Sequence, residues 1–250
     1  METFHLIDPV TFYVVGIIFL ATLVRSTLGF GEALVAVPLL ALRLPVTLAA
    51  PLSVMVSVLV AAVITAQDWR HVEVRSAISL ILVALLGIPL GLMLLAKGND
   101  HVVKMILGTI IIAFVLYCLI GKTKLHLEKD HWGWLLGCGF FSGVLGGAYG
   151  MNGPPLAVYG ALRRWSPQHF RATLQVYFLV ASLIGLLGYL ALGLWQPLLG
   201  SYFLASLPAV LVAILLGRVL NRRFNGPGFL RWVYWGLAAV GTALIVQATF

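Results

Sequence analysis

Two charged residues, Arg25 and Glu32, lie in stretches that are otherwise apolar. Charge in such surroundings is expensive and marks a functional site by default. Arginine presents a planar fork of donors to an anion. A nearby glutamate can take up and release a proton, or serve as the arginine's own counter-ion. Beside a bound anion a permanently ionised Glu32 would repel it, so Glu32 needs either a proton or Arg25 as partner. The plainer readings are that Arg25 snorkels to an interface and that Glu32 caps a helix start. Between the two runs Leu28-Gly29-Phe30-Gly31, and a second glycine-rich break spans Gly146 to Gly153, followed by Pro154-Pro155. An interrupted helix frees backbone N–H and C=O groups, and the N-terminus of the following piece is electropositive, which suits an anion. Gly29, Gly31, Gly150 and Gly153 permit close approach to the backbone. Asn152 can cap the second piece, and Pro154 suits its first turn. Arg171 and Gln175, one turn apart, are candidate ligand contacts at the start of a later segment, Arg171 alternatively being an interfacial anchor. The substrate-binding set is therefore Arg25, Gly29, Gly31, Gly150, Asn152, Gly153, Pro154, Arg171 and Gln175, with Glu32 as the proton-coupling residue.

Ten apolar segments position these residues: 10–28, 32–43, 46–66, 74–96, 101–121, 132–148, 153–163, 168–192, 197–217 and 229–248. Most approach the roughly 20 residues that span a bilayer. The second and seventh are too short to cross, and each follows a glycine-rich break. Lipid forces internal backbone bonding, so all are read as helices. Only 10% of the 250 residues are charged against 61% hydrophobic, and the mean hydropathy is +1.04. A soluble domain carries about 25% charged residues. The expected fold is an all-α polytopic membrane protein with about eight long transmembrane helices and two short broken ones, a single domain over residues 1–250.

The order long, break, short, then three long occurs twice, at 10–121 and 132–248, across the polar junction Gly121 to His131. Gly29-Phe30-Gly31 is matched by letter with Ala148-Tyr149-Gly150. If each short piece folds back along the helix before it, the repeats are inverted. Twelve of the sixteen Lys and Arg residues then fall on the cytoplasmic side, while Arg43, Lys97 and Lys104 fall outside and Arg25 within the membrane. Two parallel four-helix repeats would place ten inside and five outside, which fits the positive-inside rule less well. Both arrangements place the two termini in the periplasm. Broken helices in paired repeats commonly build a midplane substrate site; the plainer reading of the breaks is packing kinks.

The net charge of +8 is explained by cytoplasmic loops, so no nucleic-acid partner is inferred. Cys118 and Cys138 read as packing thiols, and no residues stand at metal-ligand spacing. No cofactor is implied. Met1 to Asp8 lacks Lys and Arg, which argues against a cleaved signal. Trp69, Arg70 and His71 with Asp68 read as an interfacial loop. Gly87-xxx-Gly91 and Gly139-xxx-Gly143 suit close helix packing.

At the breaks the sequence resembles the TauE/SafE sulfite exporter family, also called toluene-sulfonate uptake permeases. Gly29-Phe30-Gly31-Glu32-Ala33-Leu34-Val35-Ala36-Val37-Pro38-Leu39-Leu40 is similar to its first signature. Ser142-Gly143-Val144-Leu145-Gly146-Gly147 and Gly150-Met151-Asn152-Gly153-Pro154-Pro155-Leu156 are similar to its second, and Phe170-Arg171-Ala172-Thr173 is similar to the stretch usual after that signature. The resemblance implies a bacterial inner-membrane carrier of sulfite, sulfonates or sulfoacetate-like anions. Glu32 departs from the glycine run usual in the first signature, which fits a site where one half carries the charge. The expected function is a non-enzymatic secondary anion transporter working by alternating access, with proton or ion coupling. The alternatives are a membrane-embedded enzyme or maturation factor, and a channel or non-transporting subunit.

Overall fold

The computed structural model describes residues 8–68, 72–120, 131–163, 165–223 and 227–249. The expectations placed on residues 1–7, on Trp69 to His71, on Arg164 and on the junction 121–130 lie outside these residues. So do the side chains of Asp68, Arg222, Arg223 and Arg231.

Ten helices run through the described residues, and no strand is present among them. They are α1 (Pro9–Leu28), α2 (Glu32–Ala41), α3 (Val46–Asp68), α4 (Val74–Lys97), α5 (Asp100–Ile120), α6 (Trp132–Tyr149), α7 (Gly153–Leu162), α8 (Pro167–Ala191), α9 (Pro197–Arg223) and α10 (Pro227–Thr249). Local chemistry sets several boundaries. Proline opens α1 and α8, where the missing N–H sacrifices no helical bond. Ser166 caps α8 by accepting from the His169 N–H. The apolar run predicts the end of α9 at 217, but the helix continues to Arg223 because Arg218, Asn221, Arg222 and Arg223 are good or tolerable helix residues after the apolar run. Among the described residues, α1, α3, α4, α5, α8 and α9 are long and apolar enough to cross a membrane. Large apolar side chains such as Leu86, Phe141, Leu204 and Leu215 are exposed, which only lipid accommodates on this scale. The chain is a polytopic helical membrane protein.

The short helices turn back. Tyr13, near the start of α1, donates its hydroxyl to the Leu39 carbonyl near the end of α2. Arg43, just beyond α2, lies 4.8 Å from the Tyr13 ring. Gln247, near the end of α10, donates to the Leu42 carbonyl, and Asp100 at the start of α5 accepts from the Val46 N–H at the start of α3. The first and last helix ends therefore share one face of the molecule with Arg43, Asp100 and Lys104.

Packing follows an exchange of α1–α5 with α6–α10. Helix α4 lies on α6 and α9 on α1; α3 pairs with α8, and α5 with α10. Helices α5 and α10 run antiparallel, Gly108 against Gly241. So do α3 and α8: Thr173, near the start of α8, accepts from the Glu73 N–H just past the end of α3. One element breaks the pattern. Helix α2 is covered by α10, whereas the outer side of α7 borders an apolar groove of about 620 Å³ between α5, α6 and α7, lined by Phe114, Trp134, Phe141 and Pro155 among others.

Candidate functional site

Both breaks end their long helix the same way. Gly29 closes α1 with φ 87°, its N–H returning to the Arg25 carbonyl, and Gly150 closes α6 with φ 66°, its N–H returning to Gly146. These left-handed positions favour glycine. They also correct the register read from letters: Gly29 corresponds to Gly150, not to Ala148, and the ten-residue helices begin at Glu32 and Gly153. On this register Arg25 corresponds to Gly146 and Glu32 to Gly153, so one half carries both ions and the other carries glycines. The Asn152 side chain fills the vacated space, its Oδ1 lying 1.8 Å from where a Cβ on Gly146 would stand. Asn152 does not cap α7: its side chain makes no cap bond, and Oδ1 has no hydrogen-bond partner. The backbone there adopts φ −69°, ψ −21°, already helical, which turns the side chain away from the helix end.

Arg25 does not snorkel. It is 2% exposed, held between α1, α2, α3 and α8. Its Nη1 donates to Glu32 Oε2 and to Ser57 Oγ (2.7 Å), and its Nη2 donates to Gln175 Oε1 (2.7 Å). The Phe178 ring lies 5.1 Å from the guanidinium carbon, a cation–π contact. Gln175 in turn donates from Nε2 to the Gly29 carbonyl (2.7 Å), tying α8 to the first break. Ser182 extends the chain by donating to Ser57. The second break has its own support. Tyr177 donates to Ser142 Oγ, and Ser142 donates to the Asn152 carbonyl. Gln175→Leu would strand Arg25 Nη2 and the Gly29 carbonyl in the interior. We expect it to lower stability by about 1–3 kcal/mol, read as a downward shift in thermal unfolding in detergent.

The two breaks meet. A cavity of about 20 Å³ between them is lined by Arg25, Gly31, Glu32, Ala33, Leu34, Ser57, Gly150, Met151, Asn152, Gly153 and Phe178. That volume holds about one water molecule. The first three residues of α2, Glu32, Ala33 and Leu34, border it. The N-terminus of α7 offers fewer donors, because Pro154 and Pro155 have no N–H. Six of the residues singled out in the sequence thus border one cavity: Arg25, Gly31, Glu32, Gly150, Asn152 and Gly153. Gly29 and Gln175 stand behind it and bind each other. Two fall elsewhere. Pro154 borders the outer groove instead. Arg171 packs its Cβ and Cγ against Gly29, 3.2–3.3 Å from where a side chain there would begin, and does not line the cavity. One helical turn separates Arg171 from Gln175, but only Gln175 reaches the buried centre. Sequence reasoning missed Ser57, Phe178 and Phe30, the last packing against Gly153. Ser57 had a usable signal, being a polar residue deep in an apolar span. Phe178 stands at the position equivalent to Ser57, so the corrected register points to it.

The TauE/SafE sulfite exporter family model matches residues 14–244, nearly the whole chain and both breaks. The chain belongs to the TauE/SafE family. It is also similar to the probable sulfite/organosulfonate exporter TauE of Cupriavidus necator, with 28% identity over 186 residues, covering 72% of this chain and 70% of that protein. No solved structure matches. The TauE/SafE match brackets Arg25, Glu32, Ser57, Gln175 and Phe178, so the buried centre lies wholly within the family region.

Proposed function

We propose that this chain is a secondary carrier of small sulfur-containing oxoanions or organosulfonates, sulfite- or sulfoacetate-like, in a bacterial-type inner membrane. The observation that carries the reading is the meeting of two helix breaks around one buried arginine. Arg25 supplies positive charge, α2 supplies amide donors and a dipole, and glycines allow an anion to touch the backbone. Membership of an exporter family and the name of the Cupriavidus relative support the substrate class. The cavity is too small for an oxoanion of four or more heavy atoms, so binding requires the breaks to part. Residues 10–121 and 132–248 act as two inverted repeats that rock about the site. The exchanged helix packing and the antiparallel running of equivalent helices support that arrangement. The uncovered side of α7 makes the second repeat the easier one to move. The positive-inside rule places both termini in the periplasm. Glu32 couples transport to protons by releasing Arg25 when it takes up a proton.

Proteoliposome flux tests this. The purified chain is offered sulfite, sulfoacetate, other sulfonates, thiosulfate and carboxylates, each with and without a proton gradient. Saturable flux of a sulfur oxoanion, accelerated by the gradient, is expected. Glu32→Gln should bind the anion yet lose the response to the gradient. An unsaturable conductance would make the protein a channel, and an unchanged gradient response in Glu32→Gln would remove Glu32 from proton coupling.

A further inference from the structure

We propose that in the empty carrier the Glu32 carboxylate occupies the seat the substrate anion takes when loaded, and that this internal counter-ion lets the empty protein return across the membrane. The inference rests on the carrier reading above and concerns the step with no substrate aboard. Three observations support it.

First, both terminal nitrogens of Arg25 have partners, while its Nε has none. Nη1 serves Glu32 and Ser57, Nη2 serves Gln175, and Phe178 covers a face. Second, the adjoining cavity of about 20 Å³ has room for one water but not for an oxoanion beside the carboxylate. With the breaks closed, an arriving anion reaches Arg25 Nη1 only by taking the carboxylate's place. Third, Glu32 is held only on one side. Its Oε1 has no hydrogen-bond partner, so the carboxylate is tethered through Arg25 and can leave without breaking other bonds.

No other group nearby can do this work. Ser57 faces the pair from α3, Gln175 and Phe178 from α8, and Asn152 and Gly153 from the second break, and all are uncharged. Arg171, behind Gly29, is a cation, and Tyr177 beside Phe178 gives its hydroxyl to Ser142. Among the described residues, then, Arg25 has one carboxylate and no substitute. A buried arginine without a counter-ion is strongly unfavourable, the more so in a step that moves it relative to the bilayer. A carrier lacking the Glu32 carboxylate can therefore change conformation only with an anion on Arg25. It should exchange one anion for another but fail at net movement.

The experiment uses the full chain in proteoliposomes with radiolabelled sulfite, and measures net efflux into anion-free buffer alongside exchange against external sulfite. Wild type should perform both. Glu32→Gln should keep exchange within a few-fold of wild type while net efflux falls by about a hundredfold or more, the scale expected if the cost of an unpaired buried charge is carried into the barrier. Its sulfite affinity at neutral pH should rise, because the internal competitor is gone. Net efflux in Glu32→Gln that keeps pace with exchange overturns the proposal. So does loss of both modes in folded Glu32→Gln protein, since the carboxylate would then be needed with substrate aboard. Should Glu32→Gln not fold, Glu32→Asp decides: its shorter reach to Arg25 should raise the ratio of exchange to net efflux, and an unchanged ratio overturns the idea. Wild-type protein inert to sulfite and methanesulfonate in both modes would instead fell the carrier reading, and this inference with it.

Discussion

Arg25→Ala is expected to abolish anion flux and to lower stability by about 3–5 kcal/mol, the loss typical of removing one partner from a buried ion pair. The substitution leaves Glu32 buried without a cation, strands Gln175 Oε1, and leaves Ser57 Oγ with only the Ser182 hydroxyl as donor. Stability and function can be separated here. Arg25→Met combined with Glu32→Gln replaces the pair by neutral groups of similar bulk, an exchange that is often neutral or stabilising. The double variant should regain most of the lost stability and none of the flux. Arg25→Lys should fall between the two, keeping the charge but losing the planar fork that reaches Glu32, Ser57 and Gln175 together. Thermal unfolding in detergent and sulfite flux in proteoliposomes, measured on the same preparations, check all three. Flux in the double variant comparable with wild type would show that the buried pair holds the fold alone and that the anion binds elsewhere.

The helices were legible because the forces that set them act along the chain. Apolar runs near the bilayer's thickness, broken by glycine and proline, place nine of the ten helix ends at the C-terminal side within two residues, and α9 overruns only where polar helix formers extend the lipid-facing run. Arg25 and Glu32 stood out for the same reason, as ions where lipid tolerates few. Their surroundings are a property of tertiary contact. Ser57 is one small hydroxyl among several in apolar spans. Gln175 reaches Arg25 across 150 residues, so its protein partners cannot be read along the chain. Arg171 had a charge at a helix start, and nothing along the chain told that its stem would pack on Gly29. The repeat was visible in element order but misregistered by letter, because conformation at Gly29 and Gly150, not residue identity, marks the equivalent points.

Gly91→Ala should damage the protein more than its size suggests. Without water between them, membrane helices gain little from the hydrophobic effect and rely on close packing through small residues. The seam between α4 and α6 is built this way. A Cβ on Gly91 would stand 2.0 Å from the Val144 carbonyl oxygen and 2.6 Å from the Ala148 nitrogen, both backbone atoms that cannot rotate aside. Gly87 faces the Phe140 carbonyl at 2.3 Å, Gly143 faces that of Ala84 at 2.3 Å, and Gly147 that of Ile88 at 2.3 Å. One methyl must therefore push whole helices apart. Overpacking commonly destabilises by about 1–3 kcal/mol where side chains can adjust, and here the effect should reach the top of that range. The shift would not stay local. Helix α6 leads directly into Gly150, Met151 and Asn152 at the cavity, and the Gly147 carbonyl accepts from Tyr189 on α8. Anion flux should fall together with stability. Gly185→Ala is the control: nothing stands within 4 Å of its Cβ, and alanine favours a helix over glycine by about 1 kcal/mol at most. Thermal unfolding in detergent should therefore fall for Gly91→Ala and hold or rise for Gly185→Ala. Equal melting of the two would mean that α4 and α6 do not meet along this glycine seam.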